Sequence, residues 1–398
     1  MNAATDTHDA SVPEGRTIVL IAGVLQSAPA GGRALLSRLN HDILADILGP
    51  RLVTFEVRPS RLRGWRAIKA IFSGSIDGLN DAVVARAIHT VREMRANKVF
   101  VDGSNLGKVV RAIKRACPGV EVSTFFHNCE ARFFLGSFRQ AKTIRSLGVL
   151  LANWLAERRT VRFSDNLICL NERDSAQLRA LYGRGATHVS PIALQDRLPA
   201  VLPAGGGPDA ERYALFVGGT FYANHAGIAW FAEHVAPRIP IKTRVVGAGF
   251  ELLKQQLERH GNVEVIGSVE SVAPWYLGAQ FVVAPIFDGS GMKTKVAEAL
   301  MFGKMIVGTP EAFAGYEDVA VRAGLVCSTA SDFVNAIDRV TKGPVPEFNP
   351  ELRALYEQKY SFGAARSRLA QILDIAGAEP GDCLRKGNVP RDMPNVAS

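Results

Sequence analysis

Short runs of Val, Ile and Phe, each followed by a longer stretch of helical periodicity, recur along most of this 398-residue chain. That alternation is the signature of parallel β-α-β units. It occurs twice. The first series predicts strands at 17–23, 52–57, 98–102, 120–126 and 166–170, and the second at 213–219, 242–247, 262–266, 281–284 and 305–308. Between them, residues 195–209 hold Pro199, Pro203, Pro208 and the run Gly205, Gly206, Gly207, as a linker does. The expected organisation is a lobe over 17–194, a linker over 195–209 and a second lobe over 210–375. Residues 1–16 and 376–398 are expected to be disordered tails. A hydrophobic content of 47% supplies apolar material for two cores.

Charge and cysteine usage narrow the setting. A formal charge of +9 and a pI near 9.4 suit an anionic partner. Five scattered cysteines without a Cys-x-x-Cys pair indicate neither a disulfide framework nor a zinc site, and a reducing, cytoplasmic location is expected. No metal site is predicted. No apolar run reaches the roughly 18 residues that a spanning helix needs, so membrane contact is expected to be peripheral.

Ligands of doubly wound sheets sit at the carboxyl ends of strands. The loop after the expected strand 281–284 is the most informative, because Asp288, Gly289, Ser290, Gly291, Met292, Lys293, Thr294 and Lys295 lead into a helix carrying Glu298. Gly289 and Gly291 let backbone amides approach an anion, and a helix start favours negative charge. Lys293 and Lys295 add cations. Glu298 either holds ribose hydroxyls or forms a surface pair with Lys295 three residues earlier.

Four segments, in this order and spacing, resemble the family 4 glycosyltransferases, group 1 enzymes of the two-lobed GT-B fold. One is His127, Asn128, Cys129, Glu130 after an N-lobe strand. Another runs from Phe216 through Gly219 to Asn224, with Trp230 and Phe231 following. A third pairs Val246 to Gly249 with Val263 to Gly267, and the fourth is the Asp288–Glu298 segment continued to Thr309. The resemblance implies two Rossmann-like lobes with a donor cleft between them. It also implies transfer of a sugar, with retention, from a nucleotide-sugar substrate, with no further cofactor required.

By that likeness Glu298 contacts the ribose, Gly219 and residues Gly291 to Lys295 receive the diphosphate, and His127 touches the donor sugar. Gly31 and Gly32 would let the N-lobe backbone approach the reacting sugar. The chain departs from the family at Ser290, where the first of two glutamates is expected; either Asp288 replaces it or backbone amides of the Gly289–Gly291 turn hold the sugar hydroxyls. It also has no Arg or Lys just after Gly219.

Residues 58–72 interleave Arg61, Arg63, Arg66 and Lys69 with Trp65, and a second basic and apolar stretch runs from Phe133 to Leu151. Each reads either as a patch for an anionic membrane surface or as a core helix with a solvated basic face. The membrane reading, with a polysaccharide or lipid-linked glycan as acceptor, is the expectation carried forward. Nucleic acid is not an expected partner. A nucleotide-sugar 2-epimerase of the same fold and a non-catalytic sugar-nucleotide-binding relative are the alternatives.

Overall fold

A computed structural model describes residues 17–26, 31–59, 64, 76, 78–201, 212–343 and 348–375. The expected tails, most of the expected linker, and Arg61, Arg63, Trp65, Arg66 and Lys69 lie outside the described residues.

The first sheet consists of β1 (Ile18–Gly23), β2 (Leu52–Val57), β3 (Lys98–Asp102), β4 (Glu121–Phe126), β5 (Asn166–Cys169) and β6 (His188–Val189), in the spatial order β2-β1-β3-β4-β5-β6. Its helices are α1 (Gly32–Leu48), α2 (Asp81–Glu93), α3 (Gly107–Ala116), α4 (Glu130–Ala141), α5 (Ile144–Phe163) and α6 (Glu172–Tyr182). The second sheet is built from β7 (Tyr213–Val217), β8 (Lys242–Val246), β9 (Val263–Gly267), β10 (Ala279–Ala284), β11 (Ile306–Gly308) and β12 (Gly324–Val326), ordered β12-β11-β10-β7-β8-β9. With it go α7 (Tyr222–His234), α8 (Lys254–Leu257), α9 (Ala273–Gly278), α10 (Thr294–Met301), α11 (Glu317–Ala323), α12 (Ala330–Lys342), α13 (Pro350–Lys359) and α14 (Phe362–Ile372).

All strand pairings are parallel. Helices cover both faces of such sheets, so the central strands must be apolar on both sides. Every residue of β3 and β7 is accordingly buried. The chain order reverses between β1 and β3 in one sheet and between β7 and β10 in the other, which are the topological switch points where ligands of open α/β sheets bind.

The expected strands match the observed ones to within one or two residues. Two edge strands, β6 and β12, were not anticipated. The stretch 133–151 is two helices, because Lys142 takes a left-handed conformation (φ 47°) and Thr143 opens the next helix with a reciprocal cap to Ser146. After the second sheet the chain returns to the first lobe. Leu194 bridges to Ser361, Tyr356 Oη donates to the Leu194 carbonyl at 2.8 Å, and Arg366 on α14 pairs with Asp46 on α1.

Candidate active site

On the second lobe the site starts where β10 ends. Gly289 (φ 140°) and Gly291 (φ 67°) turn the chain, and α10 then opens at Thr294 with Lys293 as an N-cap whose side chain makes no cap. The Val296 amide already bonds the Lys293 carbonyl at 3.1 Å, and the positive dipole end of that first turn, with no side-chain cap, suits an anion. Gly291 is required twice over, by its left-handed backbone and because an added Cβ would lie 2.8 Å from the His127 carbonyl oxygen. Asp288 accepts a 2.8 Å bond from the Gly289 amide, and Met292 is buried with its sulfur 3.5 Å from the Ile192 amide.

The cations beside this loop are held in place. Lys293 Nζ donates to the Gly291 carbonyl (3.1 Å) and to Glu311 (2.8 Å), while Arg173 reaches the same carboxylate at 2.7 Å and the same carbonyl at 3.4 Å. Burial lowers the Lys293 pKa against the pull of Glu311. Lys295 is buried, donates to Asn224 Oδ1 (2.9 Å) and lies 4.0 Å from the Phe216 ring centre. Burial pushes it down to about 7, although Glu298 opposes the shift. Asn224 in turn donates to the Gly219 carbonyl at 2.8 Å. Glu298 is also buried, accepting from Arg197 at 2.7 Å and from the Tyr276 hydroxyl at 2.9 Å, so the surface pair with Lys295 does not form.

On the first lobe, β3 ends in Asp102, whose Oδ1 accepts from Asn40 (2.8 Å) and whose Oδ2 accepts from Ser37 and from His127 Nε2 (3.1 Å). Burial alone would raise this carboxyl. The neighbouring His127 and the three hydrogen bonds instead hold it at about 2. A carboxylate only accepts, so Nε2 of His127 carries a proton and Nδ1, buried and without a partner among the described residues, is the remaining ring position. Arg33, from the α1 turn that follows Gly31 (φ 85°), donates to Asn105 (3.0 Å) and pairs with Glu130 (3.3 Å).

The next helix start is already filled. Glu157 on α5, fully buried, accepts from the amides of Glu130 (2.8 Å) and Ala131 (3.1 Å) at the head of α4, and from the hydroxyls of Tyr182 (2.8 Å) and Ser104 (3.0 Å). Burial first, and the Glu130 carboxylate second, push its pKa up to about 7.

The two lobes meet at these loops. The Cys129 amide donates to Ser290 Oγ at 3.3 Å, and a Cβ on Gly32 would lie 3.0 Å from Thr294 Cγ2. One on Gly136 would be 2.6 Å from the Tyr222 hydroxyl and 3.2 Å from Asp288 Oδ2. Gly32, His127, Asp288, Ser290, Gly291 and Thr294 therefore gather at one place, with Lys295 and Glu298 buried beneath it. Sequence reasoning missed Asp102, Arg173, Arg197, Glu157 and Glu311. An acid closing the apolar run 98–102 beside a switch point was a usable signal for Asp102. The others depend on contacts between groups 18 to 138 residues apart, and nothing in the linear sequence marks them. Among the described residues no group of three or more His, Cys, Asp or Glu is placed to hold a metal.

A family model described as Glycosyl transferases group 1 matches residues 211–342. No curated protein matches by sequence. Among solved structures, the fold is similar to a sucrose-phosphate synthase from Thermosynechococcus elongatus (16% identity, 90% of this chain and 98% of that one, TM-score 0.67). It is also similar to Anabaena HepE solved with UDP and glucose (14%, 90% and 100%, TM-score 0.63), and to WaaG, a glycosyltransferase involved in lipopolysaccharide biosynthesis (15%, 91% and 100%, TM-score 0.56). The second lobe is a glycosyl transferases group 1 domain, and the chain is a glycosyltransferase of GT-B fold.

Proposed function

We propose that the chain is a family 4 type enzyme that transfers a sugar with retention from a nucleotide sugar to a polysaccharide or lipid-linked glycan, working as a peripheral protein at the cytoplasmic membrane face. The observation that carries this reading is the uncapped start of α10, flanked by Lys293 and Arg173 and set against His127 across the lobe boundary. The leaving diphosphate gathers negative charge as the glycosidic bond breaks. Amides and a helix dipole fixed in advance stabilise that charge without a metal or other cofactor.

In this reading Gly219, Gly289, Gly291, Met292, Lys293, Thr294 and Lys295 form or back the diphosphate loop. His127 contacts the sugar, Asp102 fixes its ring orientation, and the Gly31–Gly32 turn lines the sugar's other side. Asp288, or backbone amides near Ser290, takes the place of the absent glutamate. Glu298 reaches the ribose only if Arg197 or Tyr276 yields one of its oxygens. Arg61, Arg63, Trp65, Arg66 and Lys69 supply the membrane patch. UDP is the first nucleotide to try, because the similar Anabaena protein is solved with UDP and UDP-glucose.

A thermal-shift screen with UDP, GDP, ADP, TDP and CMP tests the donor assignment, since a ligand of the folded state raises its melting temperature. One diphosphate should stand out. A flat response to all five would remove the donor site. Proton NMR of the first-formed product, with the anomeric configuration preserved, tests retention.

A further inference from the structure

Away from the lobe boundary, α4, α5 and α6 enclose a cavity of about 580 Å³ walled by Leu135, Leu147, Leu150, Leu151, Trp154 and Leu181. That volume is in the range of small-molecule sites, and the lining is almost wholly apolar. Its rim is not closed over. Of its walls Leu147 and Leu181 are close to half exposed, and Ile144, one turn before Leu147 on α5 and outside the lining, is 91% exposed, an apolar surface of the kind that marks a binding site. One wall atom, Gln177 Oε1, is buried without a partner among the described residues.

On α4 and the first part of α5 the exposed charges have one sign, whereas α6 carries the exposed Glu172 and Arg179 and the buried Asp174. Residues 131–156 carry Arg132, Arg139, Lys142 and Arg145, all exposed, and no Asp or Glu. Arg132 itself lines the cavity. The ligand that fits is an amphiphile with an aliphatic chain and an anionic head. A free phosphate would leave the apolar walls unused, and a neutral chain would leave the cations unused.

The position ties this cavity to the reaction. Ala131, Arg132 and Leu135 of α4 face it, whereas Gly136 on the same helix meets Tyr222 and Asp288 of the donor lobe, and Glu130 at its head pairs with Arg33. One helix, about 10 Å across, separates cavity and cleft. We infer that the cavity between α4, α5 and α6 holds the hydrocarbon chain of a phosphate-headed lipid acceptor, whose sugar end then reaches the cleft on the other side of α4.

This inference rests on the lipid-linked reading of the acceptor, and direct binding keeps the two separable. Dodecyl phosphate below its micelle concentration, butyl phosphate and inorganic phosphate are titrated calorimetrically into the full chain and into Ala180→Trp, which fills the cavity from an exposed rim position. Leu147→Gln, also at the rim, serves as a second variant. A buried methylene is worth about fourfold in affinity, so dodecyl phosphate should bind at least a hundredfold more tightly than butyl phosphate. Both variants should weaken it at least tenfold, with the nucleotide thermal shift unchanged.

Equal dodecyl phosphate binding by parent and variants, or no dependence on chain length, overturns the inference. So does a dimer that Ala180→Trp dissociates without any dodecyl phosphate binding, which would give the groove to a second copy of the chain. If dodecyl phosphate binds as stated but transfer proceeds equally well to a water-soluble glycan in Ala180→Trp, the lipid site stands and the acceptor reading falls.

Discussion

Two helices begin at the lobe boundary, each just after the carboxyl end of a parallel strand, and they treat their N-termini in opposite ways. At α4 the amides of Glu130 and Ala131 are taken by the protein's own carboxyl group, that of Glu157. At α10 no side chain caps the first turn, and Lys293 and Arg173 stand beside it. Both helix starts carry the same partial positive charge. One has spent it on folding. On the function proposed above, the other keeps it for a ligand and would place the donor phosphates on the second lobe, while the first lobe keeps a wall on which His127 and Asp102 are mounted.

The comparison is broken or sharpened by substitutions on each side. The largest effect is expected at Glu157. Glu157→Ala strands two amides and two hydroxyls, and a buried unsatisfied donor costs about 1–3 kcal/mol. Stability measured by urea denaturation should therefore fall by at least about 3 kcal/mol, with nucleotide affinity of the folded fraction unchanged. A loss of nucleotide affinity without destabilisation would mean that α4, too, serves a ligand.

Lys293→Met should do the reverse. A charge-assisted hydrogen bond is worth about 1.5–3 kcal/mol, so nucleoside diphosphate affinity, read by calorimetry, should drop at least tenfold. The melting temperature should fall by less than in Glu157→Ala, because Arg173 still pairs with the Glu311 carboxylate that Lys293 leaves. His127→Ala should slow transfer at least tenfold, about 1.4 kcal/mol of barrier, and leave nucleoside diphosphate affinity in place. Asp102→Asn should act in the same direction by less. Intact turnover with a lowered melting temperature would make His127 a structural strand cap.

The last expected effect is spread over a pH range. The unfolded chain releases the Glu157 proton near 4.5, the folded protein near 7. Between those values the native state binds the extra proton, so stability falls as pH rises, by at most about 1.4 kcal/mol per pH unit. Glu157→Gln should lack that slope, and identical pH profiles for the two proteins would show that the carboxyl group is ionised throughout.

Much of this architecture could be read in advance because parallel strands buried on both faces leave unbroken apolar runs. The expected runs 98–102 and 213–219, observed as strands Lys98–Asp102 and Tyr213–Val217, are legible that way. Strands β6 and β12 escaped because two or three residues carry no period. The glycine loop was visible for a local reason, since Gly289, Gly291 and the α10 start are neighbours in sequence. Its surroundings were not: Glu311, Arg173 and Arg197 arrive from separate strand ends and from the segment joining the lobes. Glu298 illustrates the limit. Spacing placed it on the donor helix, but only tertiary packing reveals that Arg197 and Tyr276 already hold both of its oxygens.

The central claim is that diphosphate binds at the start of α10 and not at the start of α4. It is tested most directly by backbone amide NMR during titration with UDP, or with whichever diphosphate stabilises the protein best. The amides of Gly289, Gly291, Thr294 and Lys295 should shift with a common saturation curve, while those of Glu130 and Ala131 stay where they are. Shifts centred on Glu130 and Ala131, with the α10 amides unmoved, would contradict the account.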